Sequence, residues 1–195
     1  MRRSIFAILS FGLLSACLEN GASNSSGSIN KAHAPKPGDP DYNQVSVGTQ
    51  LSFGEVARLC GTPARELGNP IDTAGGFTLI DSRMGGTTSR ALYLDGFKDG
   101  CVRRFTGALA VFTDPSTHES MRYGPAGKTL PATSVTRAYE GVKSQVCRAA
   151  TGKPCGNSIA RLTKNTVFVT VYQGFGGGTW VTMLAHNGKL VAVEN

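Results

Sequence analysis

The chain has 195 residues, with 20 Lys+Arg against 13 Asp+Glu (formal charge +7), 40% hydrophobic residues, five cysteines and one tryptophan. No five-residue block is dominated by Lys or Arg, and Arg103-Arg104 is only a pair. The clustered basic surface with stacking aromatics that nucleic acid requires is therefore missing, and no nucleic-acid partner is expected.

Met1-Arg2-Arg3 opens the chain and an apolar run from Ile5 to Leu14 follows. A spanning helix needs roughly 20 apolar residues, so this run is too short to stay in a bilayer. A basic start, a short apolar core and small residues at its end make an export signal over residues 1–16. Its removal takes Lys+Arg from 20 to 18 against an unchanged 13 Asp+Glu, leaving a mature charge of +5. That excess suits solubility and weak attraction to anionic headgroups.

At the end of the apolar run stands Leu14-Ser15-Ala16-Cys17. This tetrapeptide resembles the lipobox of bacterial lipoproteins. The resemblance implies cleavage between Ala16 and Cys17, a diacylglycerol on the Cys17 thiol, and commonly an acyl chain on the new amino group. Two or more acyl chains give the stable membrane anchoring that one chain lacks. Leu18, rather than an aspartate, follows the cysteine. In the lipoprotein pattern this favours the outer membrane, facing the periplasm.

From Leu18 to about Ser46 the chain is rich in Ser, Gly, Asn and Pro, with His33 incidental among them. Such composition buries too little surface to order itself, so residues 17–46 read as a lipidated cysteine and flexible linker. One α+β domain is expected over residues 47–195, a size ordinary for a single unit. Beyond Cys17, the cysteines are Cys60, Cys101, Cys147 and Cys155, an even set in an oxidising compartment. Three pairings are open to them; Cys60–Cys101 and Cys147–Cys155 are favoured because each lies within one half of the domain. A zinc site would need close-set pairs with further ligands, and no histidine lies between Cys147 and Cys155, so no metal or other cofactor is expected.

Within the domain, Ser52-Phe53-Gly54-Glu55 fits a capping box opening a short helix with Val56, Leu59 and Cys60 on one face, stopped by Gly61 and Pro63. Strand-like runs follow at 77–81, 91–94 and 101–112, punctuated by Gly75-Gly76, Gly85-Gly86 and Lys98-Asp99-Gly100. Ser116-Thr117-His118-Glu119 is a second capping-box pattern, ended by Gly124-Pro125. Val135, Ala138, Tyr139, Val142 and Val146 then recur at helical spacing. Val167, Val169 and Val171 alternate with Phe168, Thr170 and Tyr172 as in a sheet strand. Runs at 179–185 and 189–193 flank His186-Asn187-Gly188, a strong hairpin signal. The predicted architecture is a mainly antiparallel sheet with two or three short helices, stapled by disulfides.

Gly61-Thr62-Pro63 and Gly152-Lys153-Pro154 each follow a predicted helix with a cysteine near its end. Together with residues 56–63 and 184–193, this resembles small envelope lipoproteins of the SmpA/BamE type and the tandem arrangement of β-lactamase inhibitor proteins. The internal echo itself reads as two halves, each a helix, a cysteine near its end, a Gly-x-Pro stop and about three strands.

Little in the chain reads as catalytic. His118-Glu119 lacks the second histidine of a zinc-binding helix, since Arg122 stands in its place, and the capping pattern accounts for the pair. His118 is the one weak candidate for a general base. Gly156-Asn157-Ser158 lacks the second glycine of a nucleophile elbow, and the glycines at 174–178 lack the Gly-Lys-Ser/Thr of a phosphate loop. Phe175 and Trp180 beside those glycines, and His186 at the hairpin tip, are candidate partner-surface residues, although a buried Trp180 is the stronger expectation. The expected function is a lipid-anchored, non-enzymatic binding or structural module that meets another envelope protein. A lipid-anchored hydrolase using His118, or an inhibitor presenting residues 174–178, are the alternatives.

Overall fold

Apolar residues alternate with polar ones through most of the chain, and the fold is correspondingly dominated by extended backbone. The computed structural model describes residues 35–195, so the segment expected as an export signal, with Ala16 and Cys17, lies outside the described residues. In chain order the strands of the first half are β1 (Gln44–Val45), β2 (Ala57–Leu59), β3 (Asn69–Ala74), β4 (Phe77–Asp81), β5 (Arg90–Asp95), β6 (Val102–Gly107) and β7 (Leu109–Thr113). Helices α1 (Pro115–Tyr123), α2 (Ser134–Cys147) and α3 (Ile159–Thr163) follow, then β8 (Thr166–Tyr172), β9 (Trp180–His186) and β10 (Lys189–Glu194). The protein is an α+β domain.

The strands form two sheets, one ordered β1-β2-β6-β5-β4-β3 and the other β10-β9-β8-β7. Every pairing is antiparallel except β1 with β2. The run 101–112, expected as one strand, crosses between the sheets at Gly107-Ala108. A Cβ at Gly107 would lie 2.4 Å from Val171 Cγ1, so only glycine lets the sheets approach this closely.

Side-chain alternation then sorts the residues into layers. Phe77, Leu79, Leu92, Leu94 and Phe105 of the six-stranded sheet meet Val167, Val169, Val171, Val181 and Met183 of the other in the central core. The opposite face of the four-stranded sheet offers Phe168, Leu184 and Ala192 to Val135, Tyr139 and Val142 of α2 and Leu162 of α3. A bulge between Leu190 and Ala192 turns both Val191 and Ala192 toward the helices. The outer face of the six-stranded sheet is a smaller cluster of Leu59, Leu67, Ile80, Tyr93 and Val102. Disulfides join Cys60 to Cys101 and Cys147 to Cys155, one in each half as favoured from the sequence.

Several local expectations are corrected. Residues 52–55 make one half of a capping box: the Ser52 amide donates to the Glu55 carboxylate at 2.7 Å, while the Glu55 amide donates to the Ser52 carbonyl at 3.2 Å rather than to its hydroxyl. No helix follows: Gly54 takes a φ of +93°, and Ala57–Leu59 pairs with β6 as a strand. With seven strands and no α-helix in the first half, the two halves do not repeat one another. The cap of α1 is Asp114, which accepts from the Ser116 and Thr117 amides, with Pro115 in the first turn. Glu119 is instead buried and accepts from the Tyr139 hydroxyl at 2.8 Å and the Cys155 amide at 2.8 Å.

The fold also begins earlier than residue 47. Gln44–Val45 is the edge strand, and the buried Asp41 carboxylate pairs with Arg103 Nε at 2.5 Å. Arg103 Nη2 pairs in turn with Asp99 at 2.9 Å, and the guanidinium lies 3.9 Å over the Phe97 ring. One buried cation thus ties the chain's entry to the turn between β5 and β6.

Candidate functional site

Sheet connectivity sorts the loops to two ends of the sandwich. The β5–β6 and β9–β10 turns share one end, where the Lys98 amide donates to Gly188 O at 3.0 Å and its ammonium to Asn187 Oδ1 at 2.6 Å. Asn187 and Gly188 both adopt positive φ, +50° and +73°, as the Asn-Gly hairpin requires. At the other end lie the β4–β5 loop (residues 82–89), the β6–β7 crossover and the β8–β9 loop (residues 173–179). The Ala108 peptide links their bases: its carbonyl accepts from Arg90 at 2.8 Å, and its amide donates to Tyr172 O at 2.9 Å. Arg90 is itself fixed by its ion pair with the buried Asp81. That pairing holds the Asp81 carboxyl below its usual range, against the opposing effect of burial.

The β4–β5 loop, the β8–β9 loop and the first residue of β9 carry three of the large apolar residues that the fold leaves in water, others being Val47, Met121 and Leu130. Phe175 is 57% exposed, Trp180 53% and Met84 62%. Trp180 is therefore not core: it opens β9 opposite Tyr172, outside the sandwiched region of the sheet. Neither loop contains an acidic residue, and Arg83 is exposed beside Met84. Met84 was missed in the sequence because a lone methionine between polar residues carries no periodic signal.

His186 does not join this surface. It ends β9 six residues from Trp180, about 20 Å away at strand rise. Rather than projecting from the hairpin tip, it is half-buried, with Nδ1 2.8 Å from the Thr166 hydroxyl. Burial and the nearby Lys98 charge lower its pKa.

His118 lies under α1, its ring stacked on Phe168 at 4.0 Å between centroids and set edge-on to Tyr139. Its Nε2 is buried without a hydrogen-bond partner, so no hydroxyl, thiol or carboxylate is within reach of that nitrogen. Burial, aided by the Arg122 charge, lowers its pKa from 6.5 to about 4, keeping the ring neutral near pH 7. A general base needs a proton to take and a partner to orient it, and this ring packs as an aromatic instead.

Beside it, α1, α2 and residues 151–154 enclose a groove of about 720 Å³ lined by Arg122, Tyr123, Arg137, Glu140, Gly141 and Lys153, among others. Its floor is a polar network. Lys143, fully buried, donates to Tyr123 Oη at 2.5 Å and Lys153 O at 2.6 Å, and pairs with Glu140 at 2.6 Å. Glu140 also accepts from Tyr123 at 2.5 Å and from the Gly152 amide at 3.1 Å. Burial opposes ionisation of Glu140, but these donors outweigh it and its pKa stays low. The Tyr123 hydroxyl, desolvated and facing that carboxylate, has its pKa raised. No local pattern announces this network, because its members come from α1, α2 and the disulfide-closed loop.

Among the described residues, no helix is long and apolar enough to cross a membrane, and no group of three or more His, Cys, Asp or Glu could hold a metal ion. In comparisons with known proteins, the chain matches no family model, no curated protein and no solved structure.

Proposed function

We propose that this chain is a lipid-anchored, non-enzymatic binding module of the bacterial envelope, held by Cys17 at the outer membrane and engaging a protein partner through Met84, Phe175 and Trp180. The exposure of Met84 and Phe175 on two acid-free loops, and of Trp180 where the second loop enters β9, all at one end of the sandwich, is the observation that carries the reading. Large apolar side chains left in water at one end of a fold suit a partner surface, and tryptophan is enriched among residues that dominate binding energy. The glycines at 174 and 176–178 leave the loop free to adapt, while the Arg90–Asp81 pair and the Ala108 peptide fix its surroundings. The complementary partner surface is an apolar patch with acidic residues at its rim, matching Arg83. A hydrolase reading would need His118 beside a nucleophile, and its unpartnered Nε2 gives that reading no support.

Two experiments test the halves of this proposal. Cys17→Ala should release the protein from membranes washed with carbonate, and retention would remove the anchor. A photo-crosslinking residue at position 175 should give one discrete protein adduct in native membranes, while the same group at the exposed Val47 should not. Equal labelling from both positions would contradict a specific surface.

A further inference from the structure

The groove between α1 and α2 is separate from the loop end and carries its own charge pattern. Three cations line it: Arg122, Arg137 and Lys153. None of them forms an ion pair among the described residues. The only carboxylate in the lining, Glu140, is already engaged by Lys143, Tyr123 and the Gly152 amide. The groove therefore presents three positive charges with no protein anion left to meet them.

Arg122 is also held in place. Its hydrogen bonds all run through Nη1, to Leu130 O at 2.6 Å, Pro131 O at 3.2 Å and Gly127 O at 3.5 Å. The Nε–Nη2 edge, the fork that grips two oxygens of one oxyanion, makes no hydrogen bond among the described residues. An immobilised guanidinium with that edge free loses little entropy on binding.

Gly141 supplies an independent observation. It lies inside α2, where glycine is less favourable than alanine by about 0.8–1 kcal/mol. A Cβ added there would meet nothing within 4 Å, so packing does not require the glycine. It does line the groove, where a missing side chain lets a ligand come close to the helix backbone. Hydroxyls of Thr136, Ser144 and Thr151 stand along the same wall, and Tyr123 and Pro154 add apolar surface.

We infer that this groove is a binding site for an organic phosphate, with Arg122, Arg137 and Lys153 on the phosphate oxygens and the organic part over Gly141. Three cations suit a multiply charged tetrahedral group better than a single carboxylate. The volume of about 720 Å³ leaves room for an organic portion beyond the phosphate. The phosphate is a monoester, which alone carries more than one negative charge near neutral pH, and its source is a free metabolite or the phosphatidic acid headgroup of a lipid.

The test is an amide chemical-shift titration of the full chain in neutral detergent. One arm uses glycerol 3-phosphate, and the other uses short-chain phosphatidic acid, also a phosphomonoester, below its micelle concentration. Saturable shifts at Gly141, Gly152 and Lys153 are expected in at least one arm. A response to glycerol 3-phosphate alone identifies a free phosphate, and tighter binding of the phospholipid identifies a headgroup. Arg137 and Lys153 are exposed, so Arg137→Glu with Lys153→Glu should leave the fold intact and weaken binding about tenfold or more. Gly141→Leu should block the site while favouring the helix. The inference is overturned if neither probe gives saturable shifts at millimolar concentration, if the charge reversals leave them unchanged, or if an acidic peptide binds while both phosphates are inert.

Discussion

Replacing His118 by phenylalanine gives a quantitative test of how its surroundings were read. Phenylalanine keeps a flat ring on Phe168 and removes the buried Nε2 that has no partner. In the wild-type protein the imidazole pKa falls from 6.5 to about 4 on folding, chiefly through burial. Above pH 6.5 the ring is neutral in both states and its contribution is complete. Between pH 6.5 and 4 the unfolded chain binds a proton that the folded chain excludes, so stability declines as the pH falls. Below about pH 4 both states are protonated and the loss stops growing. At 1.36 kcal/mol per pKa unit, discounted because the ring is not wholly enclosed, the loss comes to about 2–3 kcal/mol. Urea unfolding of both proteins, disulfides intact, at a series of pH values across this window measures it. The wild-type free energy should fall relative to His118→Phe by that amount between pH 6.5 and 4, with a constant difference above pH 7. Parallel pH profiles would refute the buried, neutral histidine.

Two further substitutions test the scaffold. Arg103→Leu would leave the buried Asp41 and Asp99 carboxylates facing each other without their cation, and should cost about 3–5 kcal/mol in urea unfolding. A loss below 1 kcal/mol would mean that Asp41 does not tie the entering chain to the domain. Gly107→Ala places a methyl group 2.4 Å from Val171 Cγ1 and should cost about 1–3 kcal/mol, partly recovered by adding Val171→Ala. No recovery in the double variant would place the strain elsewhere.

What the sequence revealed depended on whether the decisive interactions were local. The valine alternation of β8, the helical spacing of α2 and the Asn187-Gly188 turn are each complete within a short segment, and all three stand as read. Ser52 to Glu55 reads as the start of a short helix, whereas a strand follows it. What made residues 57–59 extended was pairing with β6, more than forty residues away. β3 escaped notice because its residues face solvent, which removes the apolar alternation. Glu119 looked like a cap partner, whereas its true donors, Tyr139 and the Cys155 amide, lie 20 and 36 residues away. The candidate surfaces were only partly visible for the same reason. Phe175 and Trp180 stand out beside their glycines, whereas Met84 lies on a separate loop that only the sheet connectivity brings to the same end of the sandwich. Lys143 gave no sign that it lies under the Tyr123 ring, 4.6 Å from its centroid.

The most direct measurement on the proposed function is crosslinking in native membranes of the wild-type protein and of a Met84→Ser, Phe175→Ser, Trp180→Ser variant, followed by affinity purification and mass spectrometry. Each substituted side chain is more than half exposed, so the variant should fold with the wild-type urea midpoint. A partner recovered stoichiometrically with the wild type and lost with the folded variant is the expected result. The same partner recovered equally with both proteins, or none with either, would contradict a binding module that acts through this end of the sandwich.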